Sequence, residues 1–116
     1  MPSLPLERLR KRSDYLKVGK TGERYVTPAF VIQISRRADE GSYRYGLTAS
    51  RKVGGAVERN RAKRRLRVLI KQFLDPIGHF GVDYVLIART EILKRSFASM
   101  GQELEKALNK LHEKIQ

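Results

Sequence analysis

Cationic side chains are concentrated in one stretch of this sequence, residues 57–74 (VERNRAKRRLRVLIKQFL). No acidic residue follows Glu58 within it. Guanidinium groups form paired, charge-assisted hydrogen bonds with phosphates. An ordinary solvated helix surface is the alternative, but like charges three and four residues apart repel one another along a helix, and a polyanionic partner relieves that repulsion. The stretch therefore predicts a phosphate-binding surface formed by the cationic residues between Arg59 and Lys71.

An aromatic residue among cations forms a second candidate site. Tyr15 follows Arg12 and precedes Lys17. Aromatic rings next to cations are typical of surfaces that stack the bases of single-stranded nucleic acids. Phe30 and Tyr84 lie in apolar segments, where packing in the core is the better explanation. Tyr15 is therefore the preferred residue for stacking.

A glycine turn, Gly54-Gly55, precedes the cationic stretch and follows Arg51 and Lys52. Its free amides at the start of a helix could hold a phosphate. The preferred explanation is that the glycines only permit a tight turn with positive φ. Arg51, Lys52 and Arg89 fall at the ends of predicted strands, where they could form a second basic surface.

Residue types needed for catalysis are scarce. The sequence contains no cysteine and two histidines, His79 and His112, with no spacing that suggests a metal site or an acid–base pair. Ser50 has no evident base partner. If the chain takes part in hydrolysis, we expect another component to supply the reactive centre, and we expect no catalytic or metal-binding residue in the chain itself.

The length and composition fit one small domain over residues 1–116, with residues 1–6 as a flexible arm. A net charge of +13 and a pI of about 10.5 favour a nucleic-acid partner. No apolar run is long enough to span a membrane, and no signal segment opens the chain. We therefore expect a soluble cytoplasmic protein without a membrane partner.

The hydrophobic pattern predicts the elements that position these residues. Ser13 is expected to cap a helix over residues 14–20. Residues 25–27, 29–35 and 43–50 are predicted strands, the last two paired as an antiparallel hairpin. The cationic stretch has apolar residues at intervals of three and four, which predicts an amphipathic helix over residues 57–74. The apolar run 82–88 predicts a central strand, reached by a parallel crossover, and a final helix begins at Ser96.

Order and spacing over roughly residues 9–110 resemble a known family. The cationic motif Arg59-Asn60-Arg61 is followed by Lys63, Arg64 and Arg67 and preceded by residues 46–54 (GLTASRKVG) and 56–57 (AV). The similarity extends to residues 9–15 (LRKRSDY) and 83–89 (DYVLIAR). In these segments the chain is similar to the bacterial ribonuclease P protein subunit.

The resemblance implies an α+β sandwich ordered αβββαβα, with a mixed four-stranded sheet and a left-handed βαβ crossover that general topology rules would not predict. It also implies partnership with a catalytic RNA subunit that uses Mg²⁺ to remove the 5′ leader of precursor tRNA, with no obligate protein partner. The RNA would perform the hydrolysis, while the protein supports leader binding and metal affinity.

The same resemblance assigns roles to residues. Tyr15 would contact the leader. The residues that would dock on the RNA subunit are Arg59, Asn60, Arg61, Lys63, Arg64 and Arg67. Gly19 and Gln33 stand where relatives often carry aromatics, so the leader site is expected to rely more on cations. A structural RNA-binding protein of the ribosome and a self-sufficient nuclease are the alternatives. The residues implied at the leader site are Tyr15, Phe30, Ser50, Arg51, Lys52 and Arg89.

Overall fold

The computed structural model describes residues 7–115, so the arm predicted for residues 1–6 lies outside it. The elements are β1 (Glu7–Arg8), α1 (Arg12–Thr21), β2 (Glu23–Val26), β3 (Phe30–Arg36), β4 (Arg44–Ala49), α2 (Ala56–Leu69), β5 (Val82–Ala88) and α3 (Phe97–Ile115). A π-helical turn, Ile70–Leu74, extends α2, and a 3-10 turn, Thr90–Leu93, precedes α3. After the two-residue β1, the order is the αβββαβα of the prediction.

The sheet has the strand order β1-β4-β5-β3-β2. β5 is central, as predicted: it pairs in parallel with β4 and antiparallel with β3. The predicted hairpin between β3 and β4 is therefore wrong. All but one of the residues of β5 are buried, and a strand this apolar is most stable between two others.

Two helices cover one face of the sheet. The parallel pairing of β4 and β5 confirms the predicted crossover through α2. Ala62, Leu66, Leu69 and Ile70, the predicted apolar stripe of that helix, are fully buried against the sheet and α3, and Phe73 is partly buried beside them. The α+β class is confirmed. No helix within residues 7–115 is long and apolar enough to cross a membrane.

Helix α1 packs on part of the opposite face. Val18 forms a small cluster with Val85 and Leu9, with Tyr15 and Ile87 at its margin. The prediction that Ser13 caps this helix is wrong. The helix begins at Arg12, and Lys11, which precedes it, forms no side-chain cap.

A buried carboxylate ties α1 to one end of the sheet. Asp83 accepts two hydrogen bonds from Arg44, at 2.8 and 2.7 Å, and one from Arg37 at 2.7 Å. Arg44 Nη2 also lies 3.8 Å from the Asp14 carboxylate in α1. The hydrogen bond to Asp83 raises the pKa of Arg44. Asp83 is thus neutralised by two cations, and its role is to hold the elements together.

Candidate nucleic-acid interface

The outer face of α2 is an exposed cationic surface. Arg61, Arg64 and Arg67 are exposed, whereas Lys63 is half-buried. A shallow groove runs along this side of the helix, and we call it the α2 groove. Its lining places four of the six predicted RNA-binding residues side by side. It is lined by Val57, Asn60, Lys63, Arg64 and Arg67.

The turn before α2 is closed by side chains of the helix itself. Arg59 Nη1 donates to the Gly54 carbonyl at 3.0 Å, and the Gly55 amide donates to Glu58 Oε1 at 2.9 Å. Gly54 has φ +148°, a conformation that L side chains rarely adopt. The Glu58 carboxylate therefore occupies the position that a phosphate would take at Gly55. This arrangement supports the turn interpretation of these glycines, and it gives Arg59 a structural contact.

Arg65 lies on α2 but does not belong to the groove. Its guanidinium stacks on the Phe97 ring, with Cζ 4.4 Å from the ring centroid, and donates to the Arg95 carbonyl. Its Nε is buried without a partner in the described residues. Burial, followed by the neighbouring Arg61, lowers the pKa of Arg65. Arg65 therefore connects α2 to the start of α3.

A second concavity lies between α1 and the sheet, on the face opposite α2, and we call it the α1 cleft. Tyr15 is half-buried in it, and its hydroxyl donates to the Leu9 carbonyl at 3.3 Å. Leu16 is 58% exposed. An apolar and aromatic floor with cations at its edge suits an unpaired nucleotide. The cleft is lined by Arg10, Arg12, Tyr15, Leu16 and Thr48.

The remaining cations predicted for the leader site lie at one end of the sheet, where β4 and β5 end. Ala49 pairs with Ala88, so the chain segments that follow β4 and β5 leave the sheet side by side. Arg51, Lys52 and Arg89 are exposed there. The Lys52 amide donates to Ser50 Oγ at 3.3 Å.

Arg89 is the most firmly held of these cations. Its Nη1 donates to the Thr27 carbonyl at 2.8 Å. Thr48, which lines the α1 cleft, is next to Ala49, so these cations adjoin the cleft at the same end of the sheet.

Phe30 is not available to a ligand, which corrects its assignment to the leader site. Its side chain is 0% exposed and belongs to the core beneath α2 and α3. Val31, the next residue, is on the other face because side chains alternate along a strand. The interpretation of Phe30 as a core residue is the one that the structure supports.

Gly19 on α1 and Gln33 on β3, the two positions where relatives often carry aromatics, lie next to each other. Gly19 is exposed, and a Cβ built on it would lie 3.7 Å from Gln33 Oε1, an ordinary contact. Gln33 is half-buried, and no hydrogen bond to its side chain is found within residues 7–115. Neither residue is among those that line the α1 cleft.

The sequence did not single out Arg10, Leu16 or Thr48 as ligand-contacting residues. Leu16 carried the clearest signal, because an apolar residue next to Tyr15 on a short cationic helix needs a partner. The other two depend on how α1 crosses the sheet, which is a tertiary feature.

The half-buried His79 and the buried His112 form a structural pair at the other end of the sheet. The imidazoles of His79 and His112 stack with centroids 3.6 Å apart, and His112 Nε2 lies 2.7 Å from the Tyr84 hydroxyl. Burial, together with the charge that His79 would carry, lowers the pKa of His112 to about 4. At pH 7 His112 is therefore neutral. Within residues 7–115, no group of three or more His, Asp or Glu side chains could hold a metal ion.

A small α+β protein with an exposed cationic helix on one side and an aromatic, cation-edged cleft on the other belongs to the class of basic nucleic-acid-binding domains. A family model described as Ribonuclease P matches residues 5–112.

The ribonuclease P protein component of Ruegeria pomeroyi is 44% identical over 108 residues, covering 90% of this chain and 85% of that protein. The protein component of Paramagnetospirillum magneticum is 37% identical over 110 residues, covering 91% and 83%. The solved structure of the Staphylococcus aureus RNase P protein is similar, with a TM-score of 0.74, 26% identity and coverage of 90% of this chain and 94% of that one.

The chain belongs to the ribonuclease P protein family. The family model, the similar sequences and the similar solved structure each cover most of the chain and agree on this family.

Proposed function

We propose that this chain is the protein subunit of ribonuclease P. The exposed face of α2 docks on the catalytic RNA subunit, and the α1 cleft holds the 5′ leader of precursor tRNA. The observation that carries this proposal is the presence of two distinct cationic surfaces on opposite faces of the sheet, in a chain that belongs to the ribonuclease P protein family. One surface suits a permanent RNA partner and the other a substrate strand.

The two surfaces are joined by one short segment. Arg51 and Lys52 follow β4, next to the cleft, and α2 begins four residues later at Ala56. Arg51 and Lys52 therefore lie between the leader in the α1 cleft and the RNA subunit on α2. A bound precursor tRNA would pass these cations. This continuity supports a single RNA-lined path over the protein.

Catalysis is assigned to the RNA subunit. The carboxylate best placed for chemistry, Asp83, is paired with Arg37 and Arg44. In this proposal Mg²⁺ is held mainly by the RNA subunit and the substrate, and the protein acts by lowering the repulsion between them. We place this activity in the cytoplasm.

A reconstitution assay tests the proposal. Precursor tRNA and Mg²⁺ are incubated with the protein alone, with the RNA subunit alone and with both. We expect cleavage at the mature 5′ end that requires the RNA and becomes faster when the protein is added. Cleavage by the protein alone would favour a self-sufficient nuclease, and no stimulation would favour a structural RNA-binding protein.

A further inference from the structure

Tyr15 is held at the α1 cleft by contacts at the far end of its ring. Its hydroxyl donates to the Leu9 carbonyl. The amide of Leu9 in turn donates to the Tyr45 carbonyl at 2.7 Å, so that acceptor is anchored to β4. The next residue of β4, Gly46, lies directly against the ring.

The contact at Gly46 leaves no room for a side chain. A Cβ built there would lie 2.5 Å from Cε1, 2.7 Å from Cζ and 2.8 Å from the hydroxyl of Tyr15. All three distances are far below ordinary van der Waals separation. The ring therefore occupies the volume that a side chain at this position would fill.

The backbone of Gly46 does not itself require glycine. The described residues with positive φ are Gly54 and Gly81, and Gly46 is a paired strand residue, opposite Val85. Glycine within a strand is normally unfavourable and marks a place where another group approaches the backbone closely. At Gly46 that group is the Tyr15 ring.

We propose that Gly46 and the Leu9 carbonyl form a seat for Tyr15, which makes Gly46 a positioning residue for leader binding. The seat fixes the ring next to Thr48, two residues along the same strand face, where the cleft is lined by Arg12 and Leu16. An unpaired base then meets a ring that is already in place. This inference rests on the proposed function, because it assumes that Tyr15 contacts the leader.

Gly46→Ala is the direct test. The added methyl group and the ring cannot both keep their positions, and the half-buried Tyr15 side chain can move outward while the sheet stays intact. In the reconstituted holoenzyme, we expect affinity for leader-bearing precursor tRNA to fall about fivefold, because part of the stacking on one base is lost. Affinity for mature tRNA should not change.

Gly78→Ala is a matched control. A Cβ at Gly78 would lie 2.8 Å from Cδ2 of Tyr43, so the same substitution forces the same kind of collision with a tyrosine ring. This site is in the loop before β5, at the end of the sheet away from the cleft. We expect a lower melting temperature without a leader-specific loss of affinity. A leader-specific loss in this variant as well would overturn the positioning role.

A double-mutant cycle separates this inference from the proposed function. In a Tyr15→Ala background no ring remains to displace, so Gly46→Ala should have no further effect on leader affinity. If Tyr15→Ala weakens leader binding but Gly46→Ala does not, or if the two losses add in full, the seat is wrong and the proposed function stands. If Tyr15→Ala leaves leader binding unchanged, the seat and the assignment of the leader to the α1 cleft are both wrong, and the reconstitution assay still decides whether the chain is the protein subunit.

A measurement on the free protein covers the case in which Gly46→Ala fails to fold. The aromatic ring current of Tyr15 should displace the Gly46 Hα resonances in the NMR spectrum of the wild-type chain. In Tyr15→Leu these resonances should move. Unchanged Gly46 resonances in a folded Tyr15→Leu protein would show that the ring does not rest on Gly46.

Discussion

The α2 groove and the α1 cleft carry the same sign of charge but are built in different ways. Within residues 7–115, the side chains of Arg64 and Arg67 in the α2 groove, like that of the neighbouring Arg61, have no hydrogen-bond or ion-pair partner. In the α1 cleft, by contrast, the Tyr15 side chain is fixed, because its hydroxyl donates a hydrogen bond to the Leu9 carbonyl and its ring packs on Gly46. Charge acts over a distance and tolerates imprecise placement, whereas stacking needs a defined geometry. The first surface should therefore depend on salt, and the second on position.

The largest effect that distinguishes the two surfaces is expected from charge reversal on α2. Arg61→Glu combined with Arg64→Glu should weaken binding of the RNA subunit about 100-fold at physiological salt, because two phosphate contacts become repulsive. The slope of log affinity against log salt concentration should fall by about two. A filter-binding titration at several salt concentrations measures both quantities.

The control for this prediction changes the same charge elsewhere. Lys106 and Lys110 are both exposed on α3, and their combined replacement by Glu alters the net charge by the same amount. We expect a much smaller loss of affinity. Equal losses for the two double variants would mean that overall charge, and not the exposed face of α2, determines assembly.

Removal of the stacking ring comes next in size. Tyr15→Ala should reduce affinity of the holoenzyme for leader-bearing precursor tRNA about tenfold, within the range for loss of one stacked base. The loss should change little with salt, in contrast to the α2 variants. Binding of mature tRNA and of precursor tRNA over a salt series provides the comparison.

Phe80→Ala controls for the loss of an aromatic side chain. Phe80 is 55% exposed in the loop before β5, at the other end of the sheet. Its removal should affect neither substrate. If Tyr15→Ala weakens binding of mature tRNA as much as that of precursor tRNA, the cleft does not bind the leader.

The contrast between the surfaces also explains what the sequence could predict. The periodicity of α2 and the apolar run of β5 are local patterns, so both elements were predicted correctly. The pairing of β3 with β5 in place of β4 joins segments distant in the chain, and local patterns favoured the hairpin. β1 is two residues long and left no signal.

At the two candidate surfaces, the sequence predicted where positive charge is concentrated but not which side chains contact one another. Arg64 and Arg65 are neighbours with the same side chain, but Phe97 from another helix engages only Arg65. Phe30 was assigned to the leader site by resemblance, although its own apolar segment indicated the core where it lies. Gly46 looked like any glycine in a strand, because the approach of the Tyr15 ring is a tertiary contact.

Acidification should lower the stability of the whole fold, and with it both surfaces. The folded state holds the pKa of His112 at about 4, below its ordinary value of 6.5. Between these values the unfolded chain binds more protons, so stability is fully present above pH 6.5 and is lost as pH falls towards 4. At pH 5.5 this histidine should lower the free energy of unfolding by about 1 kcal/mol relative to pH 7.

Urea denaturation at the two pH values measures the change. His112→Gln removes the titrating group, so its stability should vary less with pH over this range even if it is lower throughout. A wild-type stability that does not change between pH 7 and 5.5 would contradict a buried neutral imidazole.

The smallest effects are expected from single arginine truncations on α2. They compare Arg65, whose side chain is held by α3, with Arg64, whose side chain has no partner in the described residues. Arg65→Ala loses the stacking on Phe97 and the hydrogen bond to Arg95, so unfolding should become easier by about 1 kcal/mol. Arg64→Ala removes an exposed side chain without partners and should leave stability nearly unchanged, yet weaken RNA binding about fivefold.

Both variants remove one positive charge from adjacent positions, so a difference between them cannot arise from net charge. Thermal unfolding and RNA titration should therefore rank the two in opposite orders. The same order in both measurements would mean that the α2 groove acts through the stability of the fold, and the distinction between a surface that works by charge and one that works by position would be lost.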